Sequence, residues 1–262
     1  MTLVADLTGT HLYAGGADGA VHVINLAKAT SSAGQQGLST LGSHLASVLC
    51  MDVCTGSPSQ PATLATGSED GMVRVWDVHA AQHCKAILCP SQPTALPLNL
   101  GVSQLAAARS GAAVTALRWQ DNGAWLVCGL AGSTPALATW SIDGSDVPVR
   151  AVYEELPCIP QVLALQPGEV LVAGNAPTLY RYTFTGQQTM QHELSPCLRS
   201  VFALDVMSGS AGSGGRDGQK QPVVAPGGVA VGGAGGTVEV LSCYGTRLMS
   251  TGRHSDEGNS VF

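Results

Sequence analysis

Residues 64–78, Leu-Ala-Thr-Gly-Ser-Glu-Asp-Gly-Met-Val-Arg-Val-Trp-Asp-Val, are the stretch of this sequence that most restricts how the chain can fold. They divide into two short runs of strand-forming residues around a Glu-Asp-Gly turn at 69–71. An Asp-Gly pair between such runs is a strong local signal for a β-hairpin, because glycine tolerates the positive φ of a tight turn. Val73 and Val75 share one face of the second run and Trp76 lies on the other. The sequence therefore predicts a hairpin that is buried on both faces.

The Trp76-Asp77 pair that closes this hairpin resembles the signature of WD-repeat propellers, whose blades are four-stranded antiparallel sheets. In that family a His before the first strand, a Ser or Thr on the second strand, the turn Asp and the Trp form a hydrogen-bonded set. The residues at the matching places are His44, Ser68 (or Thr66), Asp70 and Trp76. The resemblance implies that this set locks the blade, since buried polar groups are tolerated where they satisfy one another.

Weaker copies of the hairpin recur along the chain. The residues at the place of the tryptophan are Ile24, Trp76, Trp140, Tyr182 and Leu241. The interval of 42 residues between Trp140 and Tyr182 falls in the roughly 40 to 45 residue period of propeller blades. We therefore predict an all-β WD-repeat β-propeller with five recognisable blades, forming one domain over residues 1–262.

The longer intervals coincide with three connections. Residues 27–40, rich in Ser, Gly and Gln, are predicted to be a loop. Residues 90–112 are interpreted as an insertion between strands, and residues 207–228 as a disordered Gly/Ser-rich insertion.

Composition and charge disfavour several classes of function. Only 11% of the residues are charged and the formal net charge is −6, so direct RNA or DNA binding by this chain alone is disfavoured. The eight cysteines include no Cys-x-x-Cys pair, and several lie inside apolar runs, which is typical of free thiols in a reducing compartment. No apolar run is long enough to span a bilayer.

A search for catalytic and metal-binding patterns yields no convincing site. Nucleophile elbows and phosphate-binding loops are absent from the sequence. The acidic pairs Glu154-Glu155 and Asp256-Glu257 are interpreted as solvated loops rather than acid and base couples. Four residues could in principle ligate zinc, although their spacing matches no closed zinc module: His79, His83, Cys84 and Cys89. We predict no catalytic residue, no metal site and no cofactor.

Several passages, taken in order, resemble one family of WD-repeat proteins, subunit 6 of the THO complex. That complex belongs to the assembly that couples messenger RNA synthesis to packaging and nuclear export. The passages are Tyr-Ala-Gly-Gly at 13–16, the segment 67–78, Trp-Leu-Val-Cys-Gly at 125–129, Leu-Ala-Thr-Trp at 137–140, Val-Leu-Val-Ala-Gly at 170–174, and Val-Glu-Val-Leu-Ser-Cys-Tyr-Gly-Thr-Arg at 238–247.

The resemblance implies a seven-bladed propeller of which this chain corresponds to the last five blades, lacking about two N-terminal repeats. The chain is then either a fragment or truncated gene model, or a set of five blades that closes by itself.

The function that the resemblance implies is that of a non-catalytic scaffold subunit in messenger RNA processing and export. Its partners would be other THO subunits, with RNA bound only indirectly, no membrane and no small-molecule substrate. Its location would be the nucleus, with the cytoplasm as a second compartment.

Two alternatives stay open at this point. Related plant and algal proteins resemble substrate receptors of cullin-type ubiquitin ligases, which use a motif ending in Trp-Asp-x-Arg. Here His79 stands at the place of the arginine, and histidine lacks the constant charge and the planar fork of five donors. The other alternative, an enzyme on a propeller scaffold, has no residues in its favour.

Overall fold

The computed structural model describes residues 2–6, 9–29, 37–54, 62–78, 83–108, 111–121, 123–142, 149–207 and 228–251. The described residues form five four-stranded antiparallel sheets, in each of which the strands lie side by side in chain order. This architecture confirms the all-β prediction and the five repeats. Among the helices of the described residues, none is both long enough and apolar enough to cross a membrane.

The first two sheets precede residue 90. The first sheet consists of β1 (Thr2–Ala5), β2 (His11–Gly15), β3 (Ala20–Asn25) and β4 (Leu38–Ser43). The second sheet consists of β5 (Val48–Cys54), β6 (Thr63–Ser68), β7 (Val73–Asp77) and β8 (His83–Leu88). A short helix, α1 (Leu26–Ala29), follows β3, and α2 (Val102–Ala107) lies between the second and third sheets.

The other three sheets follow α2. The third sheet consists of β9 (Ala113–Trp119), β10 (Trp125–Ala131), β11 (Ala136–Ser141) and β12 (Val149–Glu155). The fourth consists of β13 (Pro160–Gln166), β14 (Glu169–Gly174), β15 (Thr178–Thr183) and β16 (Gln188–Glu193). The fifth consists of β17 (Val201–Val206), β18 (Val229–Gly233), β19 (Val238–Leu241) and β20 (Arg247–Thr251).

Strand register confirms that the five residues predicted at the place of the tryptophan are equivalent. Each one lies on the third strand of its sheet and pairs with an apolar residue on the second strand. The pairs are Ile24 with Leu12, Trp76 with Leu64, Trp140 with Leu126, Tyr182 with Val170, and Leu241 with Val229. The repeat that the sequence contains is therefore a repeat of three-dimensional structure.

The cores lie between consecutive sheets. Each interface joins buried residues of two neighbours, as where Tyr13 and Val21 of the first sheet pack with Leu64 and Trp76 of the second. Further clusters join the second to the third sheet, the third to the fourth, and the fourth to the fifth. The first strand of each sheet packs on the first strand of the next sheet, in the order β1, β5, β9, β13 and β17. Within the described part of the chain, no strand of the fifth sheet packs extensively on a strand of the first.

Hydrogen bonds between neighbouring first strands reinforce this stacking. The Thr115 hydroxyl donates to the carbonyl of Pro160 at 2.6 Å, and Arg118 Nε donates to the carbonyl of Leu163 at 3.2 Å. On the other side of β9, the carboxylate of Asp52 accepts from the backbone N–H of Trp119 at 2.7 Å. Burial raises the pKa of Asp52 despite that bond and the nearby Arg118 charge.

Two predicted loops are corrected. Residues 27–40 were expected to be a loop, but they include the end of α1 and the start of β4. Glu154 and Glu155 lie in β12, not in a loop, with both side chains exposed. In both cases strand hydrogen bonds to a neighbour, rather than an apolar sequence pattern, define the strand.

The two predicted insertions and the single domain stay predictions. In 90–112, helix α2 places Leu105 in a small core with Met72 and Ile87 of the second sheet. Of the segment 207–228, residues 208–227 lie outside the described residues.

Candidate functional site

The residues predicted to lock the blade all lie in or beside the second sheet. His44 follows β4 on the connection to β5, Thr66 and Ser68 lie on β6, Asp70 lies in the turn, and Trp76 lies on β7. Each of the five is at most 4% exposed. The β6 to β7 turn depends on Gly71, whose φ of 78° is in the left-handed region that favours glycine. The fold therefore brings together side chains from three separate segments.

A chain of hydrogen bonds runs from the indole to the carboxylate. Trp76 Nε1 lies 2.9 Å from Thr66 Oγ1, which lies 2.7 Å from His44 Nε2. His44 Nδ1 lies 3.1 Å from Asp70 Oδ2. Because an indole N–H can only donate, Thr66 accepts from Trp76, and because an ionised carboxylate can only accept, His44 Nδ1 donates to Asp70. Nε2 of the neutral imidazole is then an acceptor, and Thr66 donates its hydroxyl proton to it.

Asp70 also accepts hydrogen bonds from the backbone on both sides of the set. Its carboxylate accepts from the N–H of Leu45 at 2.8 Å and from the N–H of Met72 at 2.9 Å. The first bond holds the connection between β4 and β5, and the second shapes the turn before β7. The carboxylate of Asp70 thus links the connection that leads into β5 to the hairpin formed by β6 and β7.

Ser68 contacts the same segments without entering the chain of bonds between His44 and Trp76. Its hydroxyl donates to the carbonyl of Ala46 at 3.0 Å and accepts from the N–H of Asp70 at 3.1 Å. The sequence left Ser68 and Thr66 as alternatives for the hydroxyl of the set. The structure places Thr66 between the imidazole and the indole, and Ser68 beside the turn.

The pKa values of the two titratable members move with their surroundings. Burial lowers the pKa of His44, although the hydrogen bond and the charge of Asp70 oppose that effect. For Asp70, burial alone would raise the pKa, but hydrogen bonds from His44, Leu45 and Met72 lower it overall. A neutral His44 next to an ionised Asp70 agrees with the direction of the hydrogen bonds.

The register position of Thr66 distinguishes the second sheet from the other four. The residues at this position on the five second strands are Ala14, Thr66, Cys128, Val172 and Val231. Thr66 is the one hydroxyl among them. In the third sheet a Cys128 thiol stands there, and burial raises its pKa to about 12. The polar set therefore belongs to the second sheet, since no other sheet has a hydroxyl at this place.

The described residues offer no cluster of three or more His, Cys, Asp or Glu side chains that could hold a metal ion. Of the four candidate zinc ligands, His79 lies outside the described residues, as does the side chain of His83. Cys84 donates to the carbonyl of Ala86, and the thiol of Cys89 contacts Ser91 and the carbonyl of Ala108. All eight cysteines are free of disulfides.

Five four-stranded sheets stacked through their first strands, with a buried His, Thr, Asp and Trp set in one of them, define a WD-repeat β-propeller architecture. The comparisons with known proteins agree with this class. The family described as "WD domain, G-beta repeat" matches residues 35–77. That match covers β4 to β7 and contains all the residues of the polar set.

Among curated proteins, the chain resembles "THO complex subunit 6" of Arabidopsis thaliana. The two are 27% identical over 192 residues, which cover 73% of this chain and 41% of the relative. The alignment thus spans about two fifths of the relative's length. This finding agrees with the resemblance that the sequence passages indicated.

Among solved structures, the chain resembles one chain of "Crystal Structure of Mitotic Checkpoint Complex" with a TM-score of 0.65. The sequence identity is 16%, and the match covers 97% of this chain and 66% of the other. At this identity the likeness concerns the fold alone.

Proposed function

We propose that this protein is a non-catalytic scaffold subunit of an assembly like the THO and transcription-export complex, acting in messenger RNA processing and export in the nucleus. The observation that carries the proposal is the 27% identity to THO complex subunit 6 over 73% of the chain. The WD-repeat architecture agrees with it, because propellers present several rims and faces on which other proteins can dock. Fold alone does not fix function, so the proposal rests on the sequence likeness.

The polar set contributes to this function by stabilising the scaffold. We propose that His44, Ser68, Asp70 and Trp76, together with Thr66, lock the second sheet. Their hydrogen bonds are directed at one another and at the nearby backbone, and the side chains are buried. The set therefore serves the fold rather than a ligand.

Contact with RNA is proposed to be indirect, through partner subunits. The formal net charge of −6 and the low proportion of charged residues oppose binding to the phosphate backbone. No specific observation favours the ubiquitin-ligase alternative, since its Arg position is occupied by His79, which lies outside the described residues.

Affinity purification of the tagged chain from nuclear extract, followed by mass spectrometry, tests the proposal. We expect enrichment of several THO subunits over an empty-tag control, and loss of that enrichment for Trp76→Ala, which removes the largest side chain of the core between the first two sheets. Recovery of cullin adaptors without THO subunits would contradict the proposal and favour the ligase alternative.

A further inference from the structure

Each sheet of this chain has two faces that meet different neighbours. We call the face that carries the residue at the place of the tryptophan the front face, and the opposite one the back face. In the second to fifth sheets, the front face packs on the back face of the preceding sheet. The third-strand residues of these front faces are at most 2% exposed: Trp76, Trp140, Tyr182 and Leu241. A front face on a back face is therefore the repeating interface of the molecule.

The first sheet has the same front face, but within the described residues no other sheet packs extensively on it. Ile24 stands at the place of the tryptophan, and both it and its second-strand partner Leu12 are only half-buried. Leu3 and Leu38 share this face by register, and they are 51% and 60% exposed. The first sheet therefore presents an apolar surface of the kind that the inner sheets bury.

The fifth sheet exposes its back face. In each sheet one third-strand residue of the back face pairs with a second-strand glycine or alanine. In the first four sheets this residue packs toward the following sheet and is 0% exposed: Val21, Val73, Leu137 and Leu179. The corresponding residue of the fifth sheet, Val238, is 43% exposed, and Met249 on the same face is 51% exposed. Both halves of the repeating interface are thus exposed, one at each end of the stack.

The second-strand glycine of the fifth sheet has open space beside it. A Cβ atom on Gly15 of the first sheet would lie 2.5 Å from Val48 Cγ1 on the following first strand, and the equivalent glycines of the second and third sheets are as crowded. A Cβ atom on Gly232 would meet nothing nearer than Ala203 Cβ of its own sheet, at 3.7 Å. The fifth sheet therefore offers the groove with which the inner sheets receive a first strand.

Asp205 gives the back face of the fifth sheet a hydrogen-bond acceptor at a place that an inner interface uses. The register places Asp205 in the fifth sheet where Asp52 stands in the second. The Asp52 carboxylate accepts from the N–H of Trp119 on the following first strand at 2.7 Å. The Asp205 carboxylate is exposed and accepts from the N–H of its own neighbour Val206 at 2.9 Å, which leaves it acceptor capacity for a further bond.

The first sheet carries the matching donor on β1. By register, Ala5 in the first sheet stands at the place of Trp119 in the third. The N–H of Asp6 donates to the carbonyl of His11 on β2, and neighbouring N–H groups of an antiparallel strand point in opposite directions. The N–H of Ala5 therefore points away from β2, on the side of β1 where the described sheet has no further strand.

We propose that the chain assembles head to tail, with the front face of the first sheet of one copy on the back face of the fifth sheet of a second copy. The contact has the register of the inner interfaces, and the Asp205 carboxylate of one copy accepts from the Ala5 N–H of the other. A second copy is the occupant because one chain carries both halves of this interface, which do not pack extensively on each other in the described structure. The association goes beyond the function proposed above and does not depend on it.

The direct test mixes two variants that each block one face, Leu3→Arg on the first sheet and Val238→Arg on the fifth. Because burying an unpaired arginine is costly, we expect each variant alone to associate at least about tenfold more weakly than the parent chain. A head-to-tail contact joins two different faces and can repeat into rings or filaments. The equimolar mixture retains one intact front face and one intact back face, so we expect it to regain the affinity of the parent chain and to stop at a dimer.

Analytical ultracentrifugation over a range of concentrations measures these masses. A monomeric parent chain, a mixture that remains monomeric, or a double variant that associates as strongly as the parent chain would overturn the proposal. Leu98→Arg, at a side chain that is 53% exposed between the second and third sheets, is the matched control and should associate as the parent chain does. Leu38→Arg and Met249→Arg block the same two faces and replace any first variant whose melting shows that it is unfolded.

A further variant tests the register of the contact. We expect Asp205→Ala to weaken association about tenfold, because it removes a hydrogen bond to a charged acceptor. Glu155→Ala removes an exposed carboxylate on β12 and is the control for charge. The control should not weaken association, since copies that each carry a net charge of −6 repel one another. Equal affinities of the two variants would contradict the proposed register.

Discussion

At the scale of single residues, the hydroxyl of Thr66 is the atom that connects the polar set of the second sheet. It lies within hydrogen-bond distance of both Trp76 Nε1 and His44 Nε2. Both neighbours are buried, so neither can exchange this partner for water without a structural change. Removing the hydroxyl would leave a donor and an acceptor unsatisfied at once.

We expect Thr66→Val, which keeps the shape of the side chain, to lower the free energy of unfolding by about 2–4 kcal/mol because two buried polar atoms lose their partner. The matched control is Thr139→Val in the third sheet, whose equally buried hydroxyl makes one longer bond of 3.4 Å, to the carbonyl of Phe184. Its expected loss is about 1 kcal/mol. Urea unfolding measures both, and equal losses would show that the set contributes nothing beyond one ordinary hydrogen bond.

Acidification is expected to weaken the fold through His44. Its pKa is lowered in the folded state by burial, so below its ordinary value of about 6.5 the unfolded chain binds a proton that the folded chain excludes. The stabilisation is fully present above pH 6.5 and is lost as pH falls below it, with a slope of at most about 1.4 kcal/mol per pH unit from this residue. The lowered pKa of Asp70 acts in the same direction at lower pH, below about 3.8.

The measurement is the free energy of unfolding between pH 7.5 and pH 5 for the parent chain and for His44→Asn. We expect a shallower slope for the variant, because asparagine does not titrate. His192, whose pKa is also lowered by burial and by Arg181, keeps its own contribution in both proteins. Identical slopes would mean that His44 does not couple protonation to folding.

At the scale of elements, glycines on the second strands allow consecutive sheets to pack closely. A Cβ atom on Gly67 would lie 2.5 Å from Val114 Cγ1, and one on Gly129 would lie 2.8 Å from Cβ and Cγ of Pro160. Val114 and Pro160 belong to the first strands of the following sheets, β9 and β13. The absence of a side chain at these glycines therefore sets the spacing between sheets.

We expect Gly129→Ala to destabilise the protein by about 1–3 kcal/mol, because the rigid ring of Pro160 cannot turn away from the added methyl group. Gly101→Ala is the control, since its added Cβ would meet nothing nearer than Gln104 Oε1 at 3.8 Å and its φ of −71° suits alanine. Thermal unfolding of the two variants tests this expectation. A control that melts as low as Gly129→Ala would contradict the packing argument.

At the scale of the whole molecule, the two end sheets expose apolar residues. Leu3 on β1 is 51% exposed, and Phe202 on β17 is 59% exposed. On the last strand, Leu248 and Met249 are 52% and 51% exposed. Within the described residues, the first and fifth sheets each have an extensively packed neighbouring sheet on one side only, so they are the regions where we expect association.

We expect the isolated chain to self-associate in a concentration-dependent manner through these end sheets. Phe202→Ser should reduce that association. Leu98→Ser, which removes a side chain of similar exposure (53%) between the second and third sheets, should leave it unchanged. Light scattering over a range of protein concentrations measures both variants, and a strictly monomeric parent chain would contradict the expectation.

The sequence predicted the features that local chemistry controls. The Asp-Gly turn and the alternation of residues located the β6 to β7 hairpin, and the repeat pattern located the third strand of every sheet. The fourth strands carried a weaker signal. In β16 five of the six residues are exposed, and β4 has one buried residue, so neither has the apolar alternation typical of a core strand. β16 and β4 form because the neighbouring strands β15 and β3 have backbone N–H and C=O groups free to pair with them. Those strand edges are present only once the sheet has folded.

The candidate site, like the fold, was predicted from the sequence only in part. The sequence determined the fold class and the kinds of residue in the polar set, because turn chemistry and residue alternation act within a few positions. Only the tertiary structure decided that Thr66 and not Ser68 lies between His44 and Trp76, because that choice depends on which strand face meets an imidazole from another segment. It also decided that Val73 is buried while Val238, at the same place of the fifth sheet, is 43% exposed, because the burial of a strand face depends on whether another sheet packs on it.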